Sequence, residues 1–160
     1  MALLLIGSCG GGGAAQTESG SPADGSGSKL NLTLRSAEQA PGTLSVELLA
    51  ENAAGLYQLS SRLSFNPAAV RPSGPARPGN LISANAIFYS NDRQESFVPV
   101  AFTNRSAAAI SQASGQIFII EFDVTDPAAD PAFNLVRDSE FLIARDNAAR
   151  DIELQLEVQQ

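Results

Sequence analysis

From Leu30 onward, apolar residues return at every second position in run after run, and proline, glycine or asparagine closes most runs. Leu30, Leu32 and Leu34 alternate with Asn31, Thr33 and Arg35. Leu44, Val46 and Leu48 follow, then Leu59, Ser61, Leu63 and Phe65, then Val98, Val100 and Phe102, then Phe118, Ile120, Phe122 and Val124. The last run is the clearest: Ile152, Leu154, Leu156 and Val158 alternate against Glu153, Gln155 and Glu157. Successive side chains of a strand point to opposite faces, so each run reads as a strand with one buried and one wet face. Turn signals lie between them at Ala40-Pro41-Gly42, Asn66-Pro67, the RPSGPARPGN loop from Arg71 to Asn80, Ser114-Gly115 and Asp126-Pro127. Ala84 to Phe88 and Ala107 to Ile110 have room for single turns, and no long amphipathic helical repeat appears. Many short strands between such turns predict an all-β fold, an antiparallel sandwich or barrel.

Residue usage removes much chemistry. The chain has 160 residues, no histidine and a single cysteine, Cys9. Cys/His zinc sites, Ser-His-Asp triads, Cys-His dyads and structural disulfides are therefore excluded. A net charge of −7 with no cluster of Arg or Lys opposes nucleic-acid binding, which needs cations against phosphates. Seventeen acids make accidental carboxylate pairs unavoidable, and a short sandwich offers little room for a glycosidase cleft, so the expectation is a protein that is not an enzyme and uses no cofactor. The charge is uneven. Ten acids from Glu121 onward face only Arg137, Arg145 and Arg150, which gives −7, whereas Leu30 to Ile120 holds five acids and six Arg, which gives +1. The acidic third reads either as a surface for a cationic partner or as solvated turns and strand faces. Asp123, Asp126 and Asp130 offer carboxylates to calcium, but their spacing matches no EF-hand loop and Asp126-Pro127 reads as a turn, so no metal site is assigned.

The front of the chain differs from the rest. Gly10 to Ser28 has no Val, Ile, Leu or aromatic residue and cannot feed a core, so residues 10–29 read as a flexible Gly/Ser linker spanning roughly 25 Å. The apolar run ahead of it ends at Ile6 and is too short to cross a bilayer as a helix. Leu5-Ile6-Gly7-Ser8-Cys9 resembles a bacterial lipoprotein lipobox, in which the cysteine becomes the lipid-bearing amino terminus. Residues 1–9 would then be a truncated signal, since a basic n-region and a longer h-region are lacking. That resemblance implies lipid attachment at Cys9 and an extracytoplasmic protein anchored to the bacterial envelope; Gly10 after the cysteine implies the outer membrane or cell surface.

Leu63-Ser64-Phe65-Asn66-Pro67-Ala68-Ala69-Val70 resembles the cohesin family, whose third strand ends in a hydrophobic-x-Tyr-Asp-Pro-x-x-Leu turn. Phe65 and Asn66 stand in the places of Tyr and Asp. PGTLSVELL and AENAAGLYQL before it, then SFVPVAFTN, GQIFIIEFDV and FLIARDNAARDIELQLEV, keep the family's order over residues 30–158, so residues 30–160 are expected to be one cohesin-like domain. The resemblance implies a nine-stranded antiparallel jelly-roll sandwich that docks a protein, such as a dockerin or a component of the envelope or secretion machinery. Its partner-binding residues fall at Gln58, Ser60, Arg62 and Asn104. Cellulosomal members often carry Asn and Asp where this chain has Gln58 and Ser60, and a Glu where it has Asn104, so the chain is more similar to cohesins found outside cellulosomes. Two rival functions remain. One is a carbohydrate-binding module using Tyr89 as its platform on a polysaccharide, with Phe88 filling the core; the other is a structural subunit of a secretion or pilus assembly, pairing through an edge strand at residues 152–158.

Overall fold

The structure, a computed structural model, describes residues 29–106 and 108–159. Cys9 and the Gly/Ser tract lie outside the described residues. Eleven strand segments form: β1 (Leu30–Ala40), β2 (Thr43–Glu51), β3 (Gln58–Ser64), β4 (Val70–Pro72), β5 (Arg77–Pro78), β6 (Ile87–Ser90), β7 (Phe97–Thr103), β8 (Ser114–Val124), β9 (Asn134–Leu135), β10 (Ile143–Arg145) and β11 (Leu154–Gln159). One sheet runs β11-β1-β2-β8-β4 with β5 also on β8; the other runs β10-β3-β7-β6 with β9 also on β3. Because β4 and β5 share one side of β8, and β9 and β10 one side of β3, the eleven segments fill nine strand positions. The expected nine-stranded jelly-roll sandwich is the fold observed.

The alternating runs place their apolar residues between the sheets as expected. Leu30, Leu32, Leu34, Val46, Leu48, Leu59, Leu63, Val98, Val100, Phe102, Ile120 and Phe122 are all buried in one cluster. β8 departs from strict alternation: its register against β2 shifts after Leu48, so Ile117 and Phe118 are both buried. Such a bulge admits one extra residue and bends the strand. Phe122 touches Phe65 and Phe133, with ring centroids 5.2 and 4.9 Å apart, in the edge and tilted geometries that aromatic quadrupoles favour. This trio ties the two sheets together where β3 leaves one for the other.

Asn66 makes that crossing. Its side-chain amide donates to the Asp130 carbonyl at 2.9 Å, its side-chain oxygen accepts the Ala68 N–H at 3.1 Å, and its backbone N–H donates to the Pro131 carbonyl at 2.8 Å. Its own carbonyl accepts the Ala69 and Val70 N–H groups. With Pro67 next, the chain turns into β4 with its backbone groups satisfied.

Three expectations need correction. The fold is not wholly antiparallel, because β1 and β11 pair in parallel, Leu30 opposite Leu154 and Arg35 opposite Gln159. The Arg71 to Asn80 segment is not all loop, since β4 and β5 pair with β8 inside it. Ala84 to Phe88 is not a single turn, because Ile87 and Phe88 already belong to β6. Pairing to a neighbour creates these short segments; their own patterns are too brief to show it.

Four of the ten acids of the acidic third serve turns. Asp126, Asp130, Asp138 and Asp146 each accept the backbone N–H two residues ahead at 2.9 Å, the Asx turn that suits Asp at a chain reversal. Asp123 accepts the Ser73 hydroxyl and lies 3.5 Å from Arg71. The three candidate calcium ligands thus serve local turns and an ion pair. Asp146 also takes the Arg150 backbone N–H at 2.9 Å and the Arg150 Nε at 2.7 Å.

Gly79 packs directly against the backbone of Gln116. A Cβ there would sit 2.2 Å from the Gln116 carbonyl oxygen, while the Gly79 N–H donates to Ile117 O at 2.8 Å and the Leu81 N–H to Gln116 O at 3.0 Å. Gly79→Ala should therefore cost about 1–3 kcal/mol in a denaturant melt, while Gly74→Ala, with nothing near its Cβ, should leave the midpoint unchanged. Asp146 supplies a pH test. Its donors, the Arg150 backbone N–H foremost, hold its carboxyl below the ordinary value of 3.8. A depressed folded pKa stabilises the fold above the unfolded value, and that share is lost as pH falls through the folded one. Asp146→Ala should be less stable than the parent at pH 7, and the gap should close as the pH falls below 3.8. A gap independent of pH would assign Asp146 no ionic role.

Candidate functional site

Strand parity decides which residues face outward on the five-stranded sheet. Leu59, Ser61 and Leu63 of β3 are buried, so Gln58, Ser60, Arg62 and Ser64 point away from the core and are half-buried among their neighbours. The ladders extend this face into rows. Arg145, Gln58, Thr103 and Ile87 lie side by side; Ile143, Ser60, Ala101 and Tyr89 form the next row; Arg62 sits opposite Pro99; and Asn134, Ser64 and Phe97 close the end. No outward strand position in these rows carries a carboxylate, on a chain whose net charge is −7.

Ser60, Ala101 and Pro99 give the two central strands of this face small side chains. On one side stand Ile87, 49% exposed, and Tyr89, 54% exposed, the only exposed large hydrophobic residues among those described. On the other, the Arg62 guanidinium carbon lies 3.5 Å from the centroid of the Phe141 ring and 4.3 Å from that of Phe97. A guanidinium held against two rings keeps its charge at the surface with its orientation fixed. Arg145 is held likewise, its Nε 2.9 Å from Asp151 Oδ1.

The outer face of the other sheet is different in kind. Asn31, Thr33 and Arg35 of β1 face Gln155, Glu157 and Gln159 of β11, and Arg77 of β5 pairs with Glu121 of β8. Exposed apolar bulk is thus concentrated on the five-stranded sheet.

The structure brings Gln58, Ser60, Arg62 and Tyr89 onto one face and does not bring Asn104 there. The inward parity of Val98, Val100 and Phe102 continues to Asn104, which is buried at 8% exposure, its backbone N–H donating to the Tyr57 carbonyl at 3.1 Å. Phe88 packs against the core beside the outward Tyr89, as the sequence suggests. Sequence reasoning missed Ile87, Ala101, Thr103 and Ile143, although the alternation in SFVPVAFTN already assigns Ala101 and Thr103 to the outer face. The stacking of Arg62 on Phe97 and Phe141 had no local signal, since the rings come from distant parts of the chain.

No protein-family model matches the chain, and no curated protein matches it. Solved structures do match in shape. The sixth cohesin from scaffoldin B of Acetivibrio cellulolyticus, solved in complex with a dockerin, aligns with a TM-score of 0.67 at 14% identity over 82% of this chain and 99% of that one. A non-cellulosomal cohesin from the archaeon Archaeoglobus fulgidus gives 0.62 at 18% identity over 82% and 87%. CaCohA2 from Clostridium acetobutylicum gives 0.65 at 18% identity over 82% and 91%. In fold, residues 30–159 of this chain are a cohesin-like domain.

Proposed function

We propose that this chain is a non-catalytic docking module that receives a protein partner on the outer face of its five-stranded sheet. The observation that carries the reading is the composition of that face: both exposed large hydrophobic residues, a fixed arginine and no strand-borne carboxylate on an acidic domain. Tyr and Arg are the residues that most often anchor protein interfaces, and a preformed sheet loses little entropy when it binds. The fold supports the same reading, because several solved structures that share it are cohesins in complex with dockerins. The partner is a dockerin-like protein or a component of the envelope or secretion machinery that presents apolar and acidic groups to Tyr89, Ile87 and Arg62.

The test is to immobilise the chain, pass envelope and secreted fractions of the source cells over it, with and without a calcium chelator, and repeat with variants. A stoichiometric protein should be retained, and Ser60→Glu or Ala101→Glu should weaken its binding at least about ten-fold by placing a carboxylate at the centre of the face. Thr33→Glu, on the opposite sheet, should leave binding unchanged. Equal loss from both sheets, or retention by all three variants, would place the partner elsewhere; polysaccharide retained alone would favour the carbohydrate reading.

Cys9 completes the proposal as the point of lipid attachment, which would hold the domain at the envelope through the Gly/Ser tract; the support is the likeness of Leu5-Ile6-Gly7-Ser8-Cys9 to a lipobox. Protein extracted from membranes should show the mass of a diacylglyceryl or triacyl cysteine at its amino terminus, and an unmodified Cys9 would remove the anchor from the reading.

A further inference from the structure

Asn104 points to a second site, away from the docking face. Where β7 ends, a cavity of about 280 Å³ opens at the end of the sandwich, lined among others by Asn80, Leu81, Asn85, Asn104, Arg105 and Ile110. Three constraints build it. The Gly79 contact holds the segment after β5 against β8, and the Asn80 side-chain oxygen accepts the Gln116 N–H at 2.7 Å. That bond commits the oxygen of the Asn80 amide and leaves its NH₂ group as a donor. Ile110 is fixed by two backbone bonds of 2.8 Å, donating to Leu56 and accepting from Gly55, and forms an apolar wall with Leu81.

Asn104 lines this cavity, is more than nine-tenths buried as a residue, and its side-chain amide forms no hydrogen bond with a described residue. Its amide atoms are not among the buried orphaned ones, so they stay open to a ligand or water in the cavity. Beside it, Arg105 forms no ion pair with a described residue. No Asp or Glu lines the cavity. The lining is therefore rich in donors, carries one cation, and has an apolar wall. Its volume, near the lower bound for small-molecule pockets, suits a molecule of monosaccharide size.

We propose that this cavity binds a small hydroxylated carboxylate of the uronic-acid type, either free or as the end residue of an acidic polysaccharide. The Arg105 guanidinium takes the carboxylate, the amides of Asn80, Asn85 and Asn104 take hydroxyl groups, and Leu81 and Ile110 meet the apolar face of the ring. The site uses neither Tyr89 nor the five-stranded face, so it stands or falls independently of protein docking.

Backbone amide resonances of the full chain, followed by NMR during titration with D-galacturonate, D-galactose and a galacturonate oligomer at millimolar concentrations, test this. Galacturonate should shift the Asn104 and Arg105 resonances saturably, with galactose at least about ten-fold weaker. Arg105→Ala, at an exposed position, should reduce galacturonate affinity at least about ten-fold without altering the fold, and Asn104→Asp should do the same by adding a negative charge. Tighter binding of the oligomer would support the polysaccharide as source, and equal binding the free acid. Equal affinity for galactose and galacturonate, no shift at these resonances, or full affinity in Arg105→Ala would overturn the proposal.

Discussion

The sandwich depends on how the chain leaves one sheet for the other after β3, and Asn66 governs that passage. A crossing strand has backbone groups that neither ladder can satisfy, and in a structure this thin they cannot all turn to water. Asn66 answers with its side chain and its backbone together, binding the 130–131 segment on one side and its own turn on the other. The residue before it, Phe65, is thereby delivered into the core against Phe122. Once that parity is set, every other residue of β3 is committed, and Gln58, Ser60 and Arg62 must face out.

This explains why the fold was largely legible in the sequence while the surface was only partly so. Long strands with one wet face write their own signal, and the alternations at Leu30, Leu44, Leu59, Val98, Phe118 and Ile152 all correspond to strands or to the approach to one. β4, β5, β9 and β10 hold two or three residues each and exist because β8 and β3 have an open side to pair with. β6 was hidden for another reason: Ile87, Phe88 and Tyr89 are contiguous apolar residues, and although the inward Phe88 beside an outward Tyr89 was legible, only pairing to β7 shows that they form a strand and that Ile87 faces out. Asn104 is the instructive case. Alternation through Val98, Val100 and Phe102 already pointed it inward; the likeness to a family motif suggested a docking role, and the local physical pattern gave the better guide to its place.

The acidic end of the chain carries a related lesson about charge. A net −7 over forty residues suggests an electrostatic surface, yet four of those aspartates are spent on backbone N–H groups at turns. Asp is favoured there for its short reach and acceptor geometry, and its charge follows as a by-product. The outer face of the five-stranded sheet, by contrast, lies on strands, where small and β-branched residues fit the pleat, and so escapes the acidity of the turns.

The parallel pairing of β1 with β11 also bears on how the domain responds to force. β1 is the first strand of the domain and lies between β2 and β11, so it is gripped on both sides. A pull on whatever precedes Lys29 acts along the length of β1, across hydrogen bonds that run perpendicular to it on the β2 side and slanted on the β11 side. Both ladders are then loaded in shear, many bonds at once, and cannot be peeled open one pair at a time. A load applied ahead of Lys29 is thereby shared across both ladders of β1, and the sandwich is built to keep its shape under such tension.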